Sequence, residues 1–465
     1  MSLRSGRLIQ NPGQKWVKIQ SDARVVLAQT KMSSFTRYVT RTETVLEQII
    51  ADKLHPWKRA TTPALNGEPW KRLRESTDLE KLRKQGAFFT SRRLAHLAIE
   101  LPLSQGIVTS DLIGFDPACG AGDLLLTIAR HLGRRTTLSE TLEYWERHLV
   151  GIDKSPQFVR LTKIRLALLA LHLGASPRVR KSFDLSRFFP EIKSGNSLKS
   201  TTEFRRANFV ALNPPFFLTK ASRDCAWGNG RITAAAQFME YAVMNSREGS
   251  RLVGILPEVL RTGSSYQRWR TVIENHTNGG VVRHLGLFDN NADVHVFVLS
   301  ATKLPRSRIS QRIDWWRRSA VLTSTVNDLF EVHVGSVVPH RHRKVGPVRP
   351  YLHARSATPW ERIDRIEETR KFRGTTFQAP FVAIRRTSRP EDRNRAVATL
   401  IAMPGEIAVE NHLIVCKPKS GTITDCKRLM RQLRQATTDR FLNERIRCRH
   451  LTVSAVREIP MPKPV

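Results

Sequence analysis

Short apolar runs alternate with amphipathic segments between Phe88 and about Leu304, and this alternation restricts the chain to few folds. The pairs are LIGFDPA with LLLTIARHL, HLVGID with QFVRLTKIRLALLALHLG, NFVALNPP with AAQFMEYAVMN, and RLVGILP with YQRWRTVIEN. A strand followed by a helix, repeated in this way, is typical of an α/β domain with a mainly parallel sheet. The next runs, VVRHLGLF and VHVFVLSATK, are separated only by DNNAD. This short separation predicts a hairpin and an antiparallel element at the sheet edge.

The regions on either side lack this alternation. Residues 1–85 carry apolar residues at mixed helical spacing, with Ser21 and Asp22 as a helix start, which predicts a helical, basic N-terminal region. From residue 305 to 465, short strand-like runs, Pro, Gly and Arg predominate, which predicts a smaller α+β domain. We therefore expect three parts, with the α/β domain at residues 86–304.

The chain is strongly basic along its whole length. It has 77 Lys and Arg against 41 Asp and Glu, a formal net charge of +36. Such a field attracts polyanions, so nucleic acid is the first partner to consider. No apolar run approaches the roughly 18–20 residues that cross a bilayer, and the start MSLRSGRLIQ lacks the apolar core of a signal peptide. We expect a soluble, cytoplasmic protein with no membrane partner.

The sequence does not indicate a metal site or a disulfide framework. Its five cysteines are scattered, and none has the CxxC spacing of a zinc ribbon. The segment HRHRK, residues 340–344, contains two histidines, but its Arg and Lys side chains oppose the binding of a cation. We therefore predict no metal cofactor.

The segment FDPACGAGD, residues 115–123, predicts a ligand pocket at a strand-to-helix turn. Gly120 and Gly122 allow a sharp turn and close approach of a ligand, and ligands of doubly wound sheets bind beyond the carboxyl ends of strands. Asp116 would repel phosphate but could pair with a cation, which favours a ligand with an amino-acid end. Asp153, at the end of VGID, is placed to accept both hydroxyls of a ribose. The alternative is a purely structural turn.

A stiff loop is predicted where the run NFVAL ends in NPPF. Each proline fixes φ and lacks an N–H, so a central strand cannot continue there. The side-chain oxygen of Asn213 and the carbonyl of Pro214 could both accept hydrogen bonds from one amino group. Phe216 could lie flat on a planar heterocycle, as flipped-out bases are held. The alternative is that Pro214 and Pro215 only end the strand and that Phe216 belongs to the core.

These segments and their order resemble those of the gamma-class DNA methyltransferases, which use S-adenosylmethionine to methylate the N6 amine of adenine. The matching segments are GAFFTSRRLA (86–95), DPACGAGD, VGID, GNSL (195–198), NFVALNPPF and GSRLVGILPEVL (249–260), and they span about half of the chain. Type I modification subunits and related type II enzymes are the most similar members. The resemblance implies a Rossmann-like catalytic sheet in residues 86–304 and a target-recognition domain in residues 305–465.

The resemblance also implies residue roles. It places the catalytic loop at Asn213, Pro214, Pro215 and Phe216, where two acceptors would localise the lone pair of the adenine amine. It implies cofactor contacts by Phe89, Thr90, Asp116, Ala118, Gly120, Gly122, Asp153, Asn196 and Asn213. Many relatives have GDSL in place of GNSL, with the Asp on the cofactor's adenine. Asn196 keeps an acceptor and a donor, and Asp184 is a candidate substitute. No catalytic cysteine is needed, so Cys119 is interpreted as packing.

Candidate DNA contacts follow from position and charge. The segment 218–232 follows NPPF and combines glycines with charged residues. This predicts a mobile loop over DNA with Trp227 as a wedge, or else an ordinary surface loop. Phe288 could form the second face of a base pocket or belong to the core. The segment AIRRTSRP provides three further candidates, Arg385, Arg386 and Arg389.

The function predicted from these features is site-specific DNA adenine methylation with S-adenosyl-L-methionine. The partner would be double-stranded DNA with a flipped adenine, and a cognate restriction or specificity subunit is a further expected partner, as in restriction–modification or phage-defence systems. Two alternatives stay open. One is methylation of RNA or of a protein glutamine, and the other is a non-catalytic DNA-binding subunit of a defence complex.

Overall fold

The computed structural model describes most of the chain. The described residues are 34–54, 56–78, 80, 82, 89–104, 109–178, 183–221, 225, 227–288, 294–305, 312–316 and 324–462. The predicted helix start at Ser21 and Asp22, residues 86–88 of GAFFT and the DNNAD segment lie outside these residues.

The described parts of the chain divide into two compact units. Unit 1 comprises Met1–Lys220, Arg231–Ile255 and Ser300–Arg308, and unit 2 comprises Ala221–Gly230, Leu256–Leu299 and Ile309–Val465. The segments that carry the predicted ligand pocket and the NPPF loop belong to unit 1. The segments that carry the candidate DNA contacts belong to unit 2.

Helices occur throughout the described chain. In chain order they are α1 (34–50), α2 (Trp57–Leu65), α3 (Glu68–Ser76), α4 (Arg92–Ser104), α5 (Asp123–Leu132), α6 (Leu138–Glu146), α7 (Pro156–His172), α8 (Thr202–Arg206), α9 (Ala234–Asn245), α10 (Glu258–Thr262), α11 (Gln267–Asn275), α12 (Val326–Leu329), α13 (Ile423–Leu433), α14 (Ala436–Arg445) and α15 (Val453–Arg457). None of these described helices is long and apolar enough to cross a membrane.

Among the described residues, strands begin at Gly114. In chain order they are β1 (Gly114–Asp116), β2 (Leu149–Asp153), β3 (Ile192–Ser194), β4 (Phe209–Leu212), β5 (Leu218–Lys220), β6 (Arg231–Thr233), β7 (Arg251–Pro257), β8 (Thr277–Leu287), β9 (His295–Lys303), β10 (Phe330–Val334), β11 (Val348–Leu352), β12 (Arg362–Ile363), β13 (Thr369–Lys371), β14 (Phe377–Gln378), β15 (Phe381–Arg385), β16 (Ala398–Ile401), β17 (Glu406–Val409) and β18 (Leu413–Pro418).

The largest sheet has seven strands in the order β3-β2-β1-β4-β7-β9-β8. The pairs β3–β2, β2–β1, β1–β4 and β4–β7 are parallel. Strands β1 and β4 are buried along their whole length, as expected for parallel strands covered on both faces. The predicted α/β domain with a mainly parallel sheet is confirmed. As the hairpin prediction required, β8 and β9 are neighbours, and the Phe288 N–H donates to the Val294 carbonyl at 2.9 Å.

Helix α7 shows how local sequence sets an element in this sheet. Ser155 caps the helix by accepting a hydrogen bond from the Phe158 N–H, and Pro156 occupies the first helical turn, where the missing N–H has no consequence. Most residues from Leu161 to Leu171 are buried, whereas Pro156 and Arg160 near the start of the helix are exposed. It is therefore a core helix, in agreement with the apolar run in its sequence.

The C-terminal region contains two further sheets, which confirms the expected change of architecture. Their strand orders are β10-β18-β15-β16-β12 and β13-β11-β17-β14. In β15, Val382 and Ile384 belong to one apolar cluster with helices α13 and α15, while Phe381 and Ala383 belong to a second cluster on the other face. Because both faces are covered, β15 is apolar at consecutive positions rather than at alternating ones.

Candidate active site

Four polar side chains follow the four adjacent parallel strands of unit 1. Asp116 ends β1, Asp153 ends β2, Asn196 follows β3 and Asn213 follows β4. The strand order β3-β2-β1-β4 places them along one edge of the sheet, because parallel strands present their carboxyl ends together. This is the edge at which open α/β sheets bind ligands. The structure therefore brings together the residues that the sequence placed in the predicted pocket.

The turn after β1 requires glycine at two positions. Gly120 has φ +52° and Gly122 has φ +85°, a region that other residues adopt only with strain. A Cβ at Gly122 would lie 2.6 Å from Cγ2 of Thr162, and one at Gly120 would lie 3.2 Å from Cδ1 of Phe89. The turn is therefore shaped both by its backbone conformation and by close neighbours.

Asp153 holds this turn in place. Its Oδ2 accepts a hydrogen bond from the Gly120 N–H at 3.0 Å, and its Oδ1 accepts one from the Ser155 N–H at 2.8 Å. Burial raises the pKa of Asp153, and these two hydrogen bonds oppose the rise. Each carboxylate oxygen has a second lone pair, so the side chain retains acceptor capacity for a ligand.

Asp116 is a buried carboxyl group, with 2% of its surface exposed. Its Oδ1 accepts a hydrogen bond from the Ala118 N–H at 3.0 Å. Burial raises the pKa of Asp116 to about 8, and the nearby Asp153 and Asp123 add to this effect. A cationic ligand beside it would offset the burial and favour the carboxylate. Such an environment fits the predicted ligand with a positively charged amino-acid end.

Asn213 presents two polar atoms with different surroundings. Its Nδ2 donates a hydrogen bond to Oγ1 of Thr90 at 2.8 Å. Its Oδ1 is buried and has no hydrogen-bond partner among the described residues. An unpaired buried acceptor requires an explanation, and its place at the carboxyl edge of the sheet makes Asn213 a candidate ligand contact.

The other residues of the NPPF loop surround Asn213. Pro214 is buried, and Pro215 and Phe216 are half-buried. The carbonyl of Phe216 accepts a hydrogen bond from Oγ1 of Thr233 at 3.4 Å, which joins the loop to the start of α9. The loop is therefore attached to the sheet on one side and to a helix on the other.

Phe89 and Thr90 are both buried in unit 1. The Phe89 ring makes edge contacts with Phe158 at 5.0 Å and with Trp70 at 6.3 Å between ring centroids. Phe89 therefore forms an aromatic wall next to Gly120, and Thr90 reaches the NPPF loop. The cofactor contacts implied for both residues remain predictions.

Asn196 is connected to the glycine turn through its neighbour. Ser197 Oγ donates to the Pro117 carbonyl at 2.6 Å, while Oδ1 of Asn196 accepts from the Leu198 N–H at 3.3 Å. The candidate substitute Asp184 accepts hydrogen bonds from the N–H and Oγ of Ser186. These bonds lower the pKa of Asp184, and they stabilise its own turn.

The comparison with protein families identifies this part of the chain. Residues 74–265 match the model of the family described as N-6 DNA Methylase. This segment is an N-6 DNA methylase domain. It contains the glycine turn, all four strand-end residues and the NPPF loop, so the recognition made from the sequence segments is confirmed.

Solved structures similar to the chain include several restriction–modification proteins. The type IIL enzyme MmeI, solved in complex with DNA, has a TM-score of 0.53 and 13% identity, over 85% of this chain and 70% of that chain; this likeness shows a shared fold. The type IIG restriction endonuclease BpuSI has a TM-score of 0.43 and 13% identity over 86% of this chain. The EcoKI M protein has a TM-score of 0.36 and 18% identity, over 62% of this chain and 68% of that chain.

This chain spans 61% of the length of BpuSI, less than two thirds. The activities and partners of such longer proteins therefore enter below only as proposals. A search of curated protein sequences finds no match.

Two structural residues of the methylase domain were not identified from the sequence. Thr162 Oγ1 donates to the Gly120 carbonyl at 2.9 Å and its methyl group fills the space beneath Gly122. Arg165 is fully buried; it donates to the carbonyls of Ala64 and Ala121 and pairs with Asp123 at 2.8 Å. The signal for Arg165 was present, because it is a charged residue inside an apolar helix, whereas Thr162 had none.

Cys119 does not fit the role of a nucleophile. Burial raises the pKa of its thiol well above the usual range, and the nearby Asp116 and Asp153 add to this effect. A thiol of this kind is not converted to the reactive thiolate near neutral pH. Among the described residues, no group of three or more His, Cys, Asp and Glu side chains is arranged to hold a metal ion.

The candidate DNA contacts lie in unit 2. Trp227 is 3% exposed and its ring packs 6.0 Å from that of Tyr266, so its proposed role as a wedge would require this segment to move. Phe288 is buried. The guanidinium of Arg385 donates to the Ala357 carbonyl, and that of Arg386 donates to the carbonyls of Leu451 and Asn411. The remaining candidate, Arg389, is exposed. DNA contact by these residues remains a prediction.

Proposed function

We propose that this protein is a site-specific DNA adenine methyltransferase, which moves a methyl group from S-adenosyl-L-methionine to the N6 amine of adenine. The observation that carries the proposal is the buried, unpaired Oδ1 of Asn213, at the carboxyl edge of a parallel sheet and in an NPPF loop. An amide oxygen in this state is suited to accept a hydrogen bond from an exocyclic amine.

Methyl transfer requires little from the protein beyond correct positioning of the reacting groups. The lone pair of an adenine amine is delocalised into the ring, so the amine is a weak nucleophile. Oδ1 of Asn213 and the adjacent carbonyl of Pro214 each accept a hydrogen bond from the amine, and these bonds localise the lone pair on nitrogen. Phe216, half-buried in the same loop, stacks on the base. Orientation of this kind accounts for a large part of catalysis in group transfer.

The residues of the glycine turn fit the methyl donor. S-adenosylmethionine supplies an electrophilic methyl group on a sulfonium and carries a positively charged amino-acid end. Asp116 provides a buried carboxyl group for positive charge, and Asp153 provides acceptors for a ribose. Asn196, in place of an Asp, keeps a donor and an acceptor for the cofactor's adenine.

The proposed substrate is duplex DNA with the target adenine rotated out of the stack. Extrusion of a base costs a few kcal/mol, and phosphate contacts by a protein of charge +36 offset it. We propose that residues 1–85 form a basic helical region, residues 86–304 the catalytic domain and residues 305–465 the target-recognition domain. Candidate contacts there are Arg385, Arg386 and Arg389.

A role in restriction–modification or phage defence is proposed from the similar solved structures. MmeI is described as a restriction–modification enzyme in complex with DNA, and the EcoKI M protein as part of a type I restriction enzyme. By analogy, a specificity or restriction subunit is a candidate partner of this chain.

The direct test replaces Asn213. Asn213→Ala removes the acceptor, so transfer of a radioactive methyl group to DNA should fall by at least about 100-fold, as for the loss of one positioned hydrogen-bonding group. The affinity for S-adenosylmethionine, measured by calorimetry, should change much less. The control is Asn327→Ala, at an exposed position of α12, which should leave transfer unchanged. Equal activity of Asn213→Ala and wild type would refute the role of Asn213.

A second experiment identifies the substrate. Long-read sequencing of DNA from cells with and without the gene should show methylated adenines in one sequence context only when the gene is present. Methyl transfer to RNA or to protein glutamine, with unmodified DNA, would favour the second enzymatic alternative. DNA binding without any transfer would favour a non-catalytic subunit.

A further inference from the structure

We propose that Thr90 is a positioning residue that orients the amide of Asn213. An amide has one end that donates and one that accepts, and rotation by 180° about the last side-chain bond exchanges them. Only one orientation presents Oδ1 to a substrate amine. The inference rests on the proposed function, because it assigns a determinant of that orientation.

The contact that supports this orientation is short and protected. Nδ2 of Asn213 donates to Oγ1 of Thr90 at 2.8 Å, and Thr90 is only 7% exposed. Oγ1 of Thr90 can accept or donate a hydrogen bond, so a rotated amide could also bond to it, but an NH₂ group would then occupy the buried place of the unpaired Oδ1. Such an amide would offer donors to an amine that itself needs acceptors.

This role differs from the contact with the methionine part of the cofactor that the sequence resemblance implied for Thr90. A residue that binds the cofactor changes its dissociation constant when it is replaced. A residue that orients Asn213 changes the rate of transfer and leaves cofactor binding nearly unchanged. The two roles therefore predict different kinetic results.

The test compares Thr90→Val with Thr90→Ser. Thr90→Val keeps the shape and removes Oγ1, so kcat for methyl transfer should fall by about 10–100-fold, the scale of effects from misplaced catalytic groups. The dissociation constant for S-adenosylmethionine, measured by calorimetry without DNA, should stay within about threefold of wild type. Thr90→Ser keeps the hydroxyl and should restore most of kcat. Thermal unfolding should show both variants folded.

The possible results distinguish failure of the Thr90 inference from failure of the proposed function. A weaker cofactor dissociation constant with unchanged kcat would overturn the positioning role and leave the methyltransferase proposal intact. Equal losses of kcat in Thr90→Val and Thr90→Ser would also overturn it, since the hydroxyl would then be irrelevant. A wild-type protein without transfer activity on DNA, RNA or protein would overturn both.

A second inference concerns the loop of residues 338–347, which contains the HRHRK segment. We infer that this loop contacts the phosphates of DNA. Arg341, Arg343 and Lys344 are exposed, and the ion pairs described in this region join other residues, Arg349 to Glu406 and His353 to Glu368. The sequence also has no Asp or Glu between Glu331 and Glu361.

Contacts with neighbouring residues hold the backbone of the loop, while its Arg and Lys side chains face solvent. Nη2 of Arg370 donates to the His342 carbonyl at 2.7 Å, and the His342 ring packs 5.7 Å from that of Phe372. The Val338 N–H donates to Nδ1 of His342 at 3.2 Å. At Gly346, φ is +105° and a Cβ would lie 2.9 Å from the backbone of Arg373. A loop whose backbone is already held loses less entropy on binding a polyanion than a mobile loop does.

The test removes three positive charges from the 338–347 loop. A control variant loses three positive charges at exposed positions elsewhere in the chain. The loop variant is Arg341→Gln, Arg343→Gln and Lys344→Gln. The control is Lys427→Gln, Arg431→Gln and Arg440→Gln, three exposed cations of α13 and α14. Binding of duplex DNA is measured by fluorescence anisotropy across a range of salt concentrations. The slope of log affinity against log salt should fall by about 1 for each lost phosphate contact, and therefore by about 2–3 in the loop variant.

The result for the control variant determines how the result for the loop variant is interpreted. A smaller effect of the control variant supports the loop as a phosphate-binding element. Equal effects of the two variants would assign the interaction to the general positive field and overturn the inference, while methyl transfer by the wild type would still support the proposed function. Loss of binding to anionic phospholipid vesicles with unchanged DNA binding would also overturn it.

Discussion

Asp116 and Asn213 are polar groups that the fold buries at the same sheet edge without full compensation. The carboxyl of Asp116 has a pKa raised to about 8 by burial, and Oδ1 of Asn213 has no partner among the described residues. Such uncompensated groups reduce stability in a free protein. Under the proposed function, a ligand with a positive charge and a substrate with an amine compensate these groups on binding.

The pKa of Asp116 leads to a prediction about pH. With a pKa of about 8, the free carboxyl is largely protonated at pH 7, and a bound cation favours its ionised form. Binding of S-adenosylmethionine should therefore release a proton, and affinity should rise as pH increases from about 6 to about 8. By linkage the rise is at most about tenfold per pH unit. Calorimetry in buffers of different ionisation enthalpy measures the released proton directly.

Replacement of the Asp116 carboxyl group tests whether it causes this pH dependence. Asp116→Asn cannot release the proton, so its weaker affinity should be independent of pH in this range. Asp111→Asn, at an exposed position before β1, should behave as the wild type does. A wild-type affinity that decreases from pH 6 to pH 8 would contradict the assignment of Asp116 to a cationic group.

The glycine turn between β1 and α5 is the element on which the proposed cofactor site depends. Asp153 and Thr162 hold it from two sides through the N–H and the carbonyl of Gly120. Arg165 adds a bond to the carbonyl of Ala121 and an ion pair with Asp123. The turn is thus held by residues of β2 and α7.

Substitution of two glycines separates backbone strain from crowding. Gly122→Ala combines φ +85° with a Cβ 2.6 Å from Thr162, whereas Gly133→Ala has φ +71° and open space around its Cβ. We expect Gly133→Ala to lower the free energy of unfolding by about 1 kcal/mol and Gly122→Ala by about 2–4 kcal/mol. Chemical denaturation of both variants measures the difference. Equal values would show that Thr162 adjusts without cost.

The positive charge of the protein is distributed over its whole chain. A net charge of +36 on a folded protein produces a field that extends beyond any one site and attracts polyanions. Specific contacts, such as those inferred for the 338–347 loop, act in addition to this field. In the proposed complex, phosphate contacts fix the position and register of the protein on DNA.

This charge predicts a steep salt dependence. Between 50 and 200 mM salt, affinity for duplex DNA should fall by about 10³-fold or more if six or more phosphates are contacted. The affinity for S-adenosylmethionine, a small ligand bound at a buried site, should change far less and serves as the internal control. A nearly flat dependence for DNA would remove phosphate contacts from the account of binding.

The sequence by itself determined the parts of this protein that depend on neighbours along the chain. The alternation of strands and helices, the glycines of the turn and the prolines of NPPF are local restrictions on φ and on burial, and the structure has α/β elements at these positions. The strand-end order of Asp116, Asp153 and Asn213 followed from the same alternation. For that reason the fold class and the sheet edge that carries the site were predictable.

Only the tertiary structure determined which residues from distant parts of the sequence contact one another. Thr90 and Asn213 are 123 positions apart, and nothing in either segment indicates that one amide would be oriented by the other's hydroxyl. The support of the glycine turn by Thr162 and Arg165, and the burial of Trp227 in a segment expected to be mobile, likewise depend on packing between distant segments. Local periodicity restricts which face of an element is buried, but the partner that it meets is selected by the packing of the folded chain.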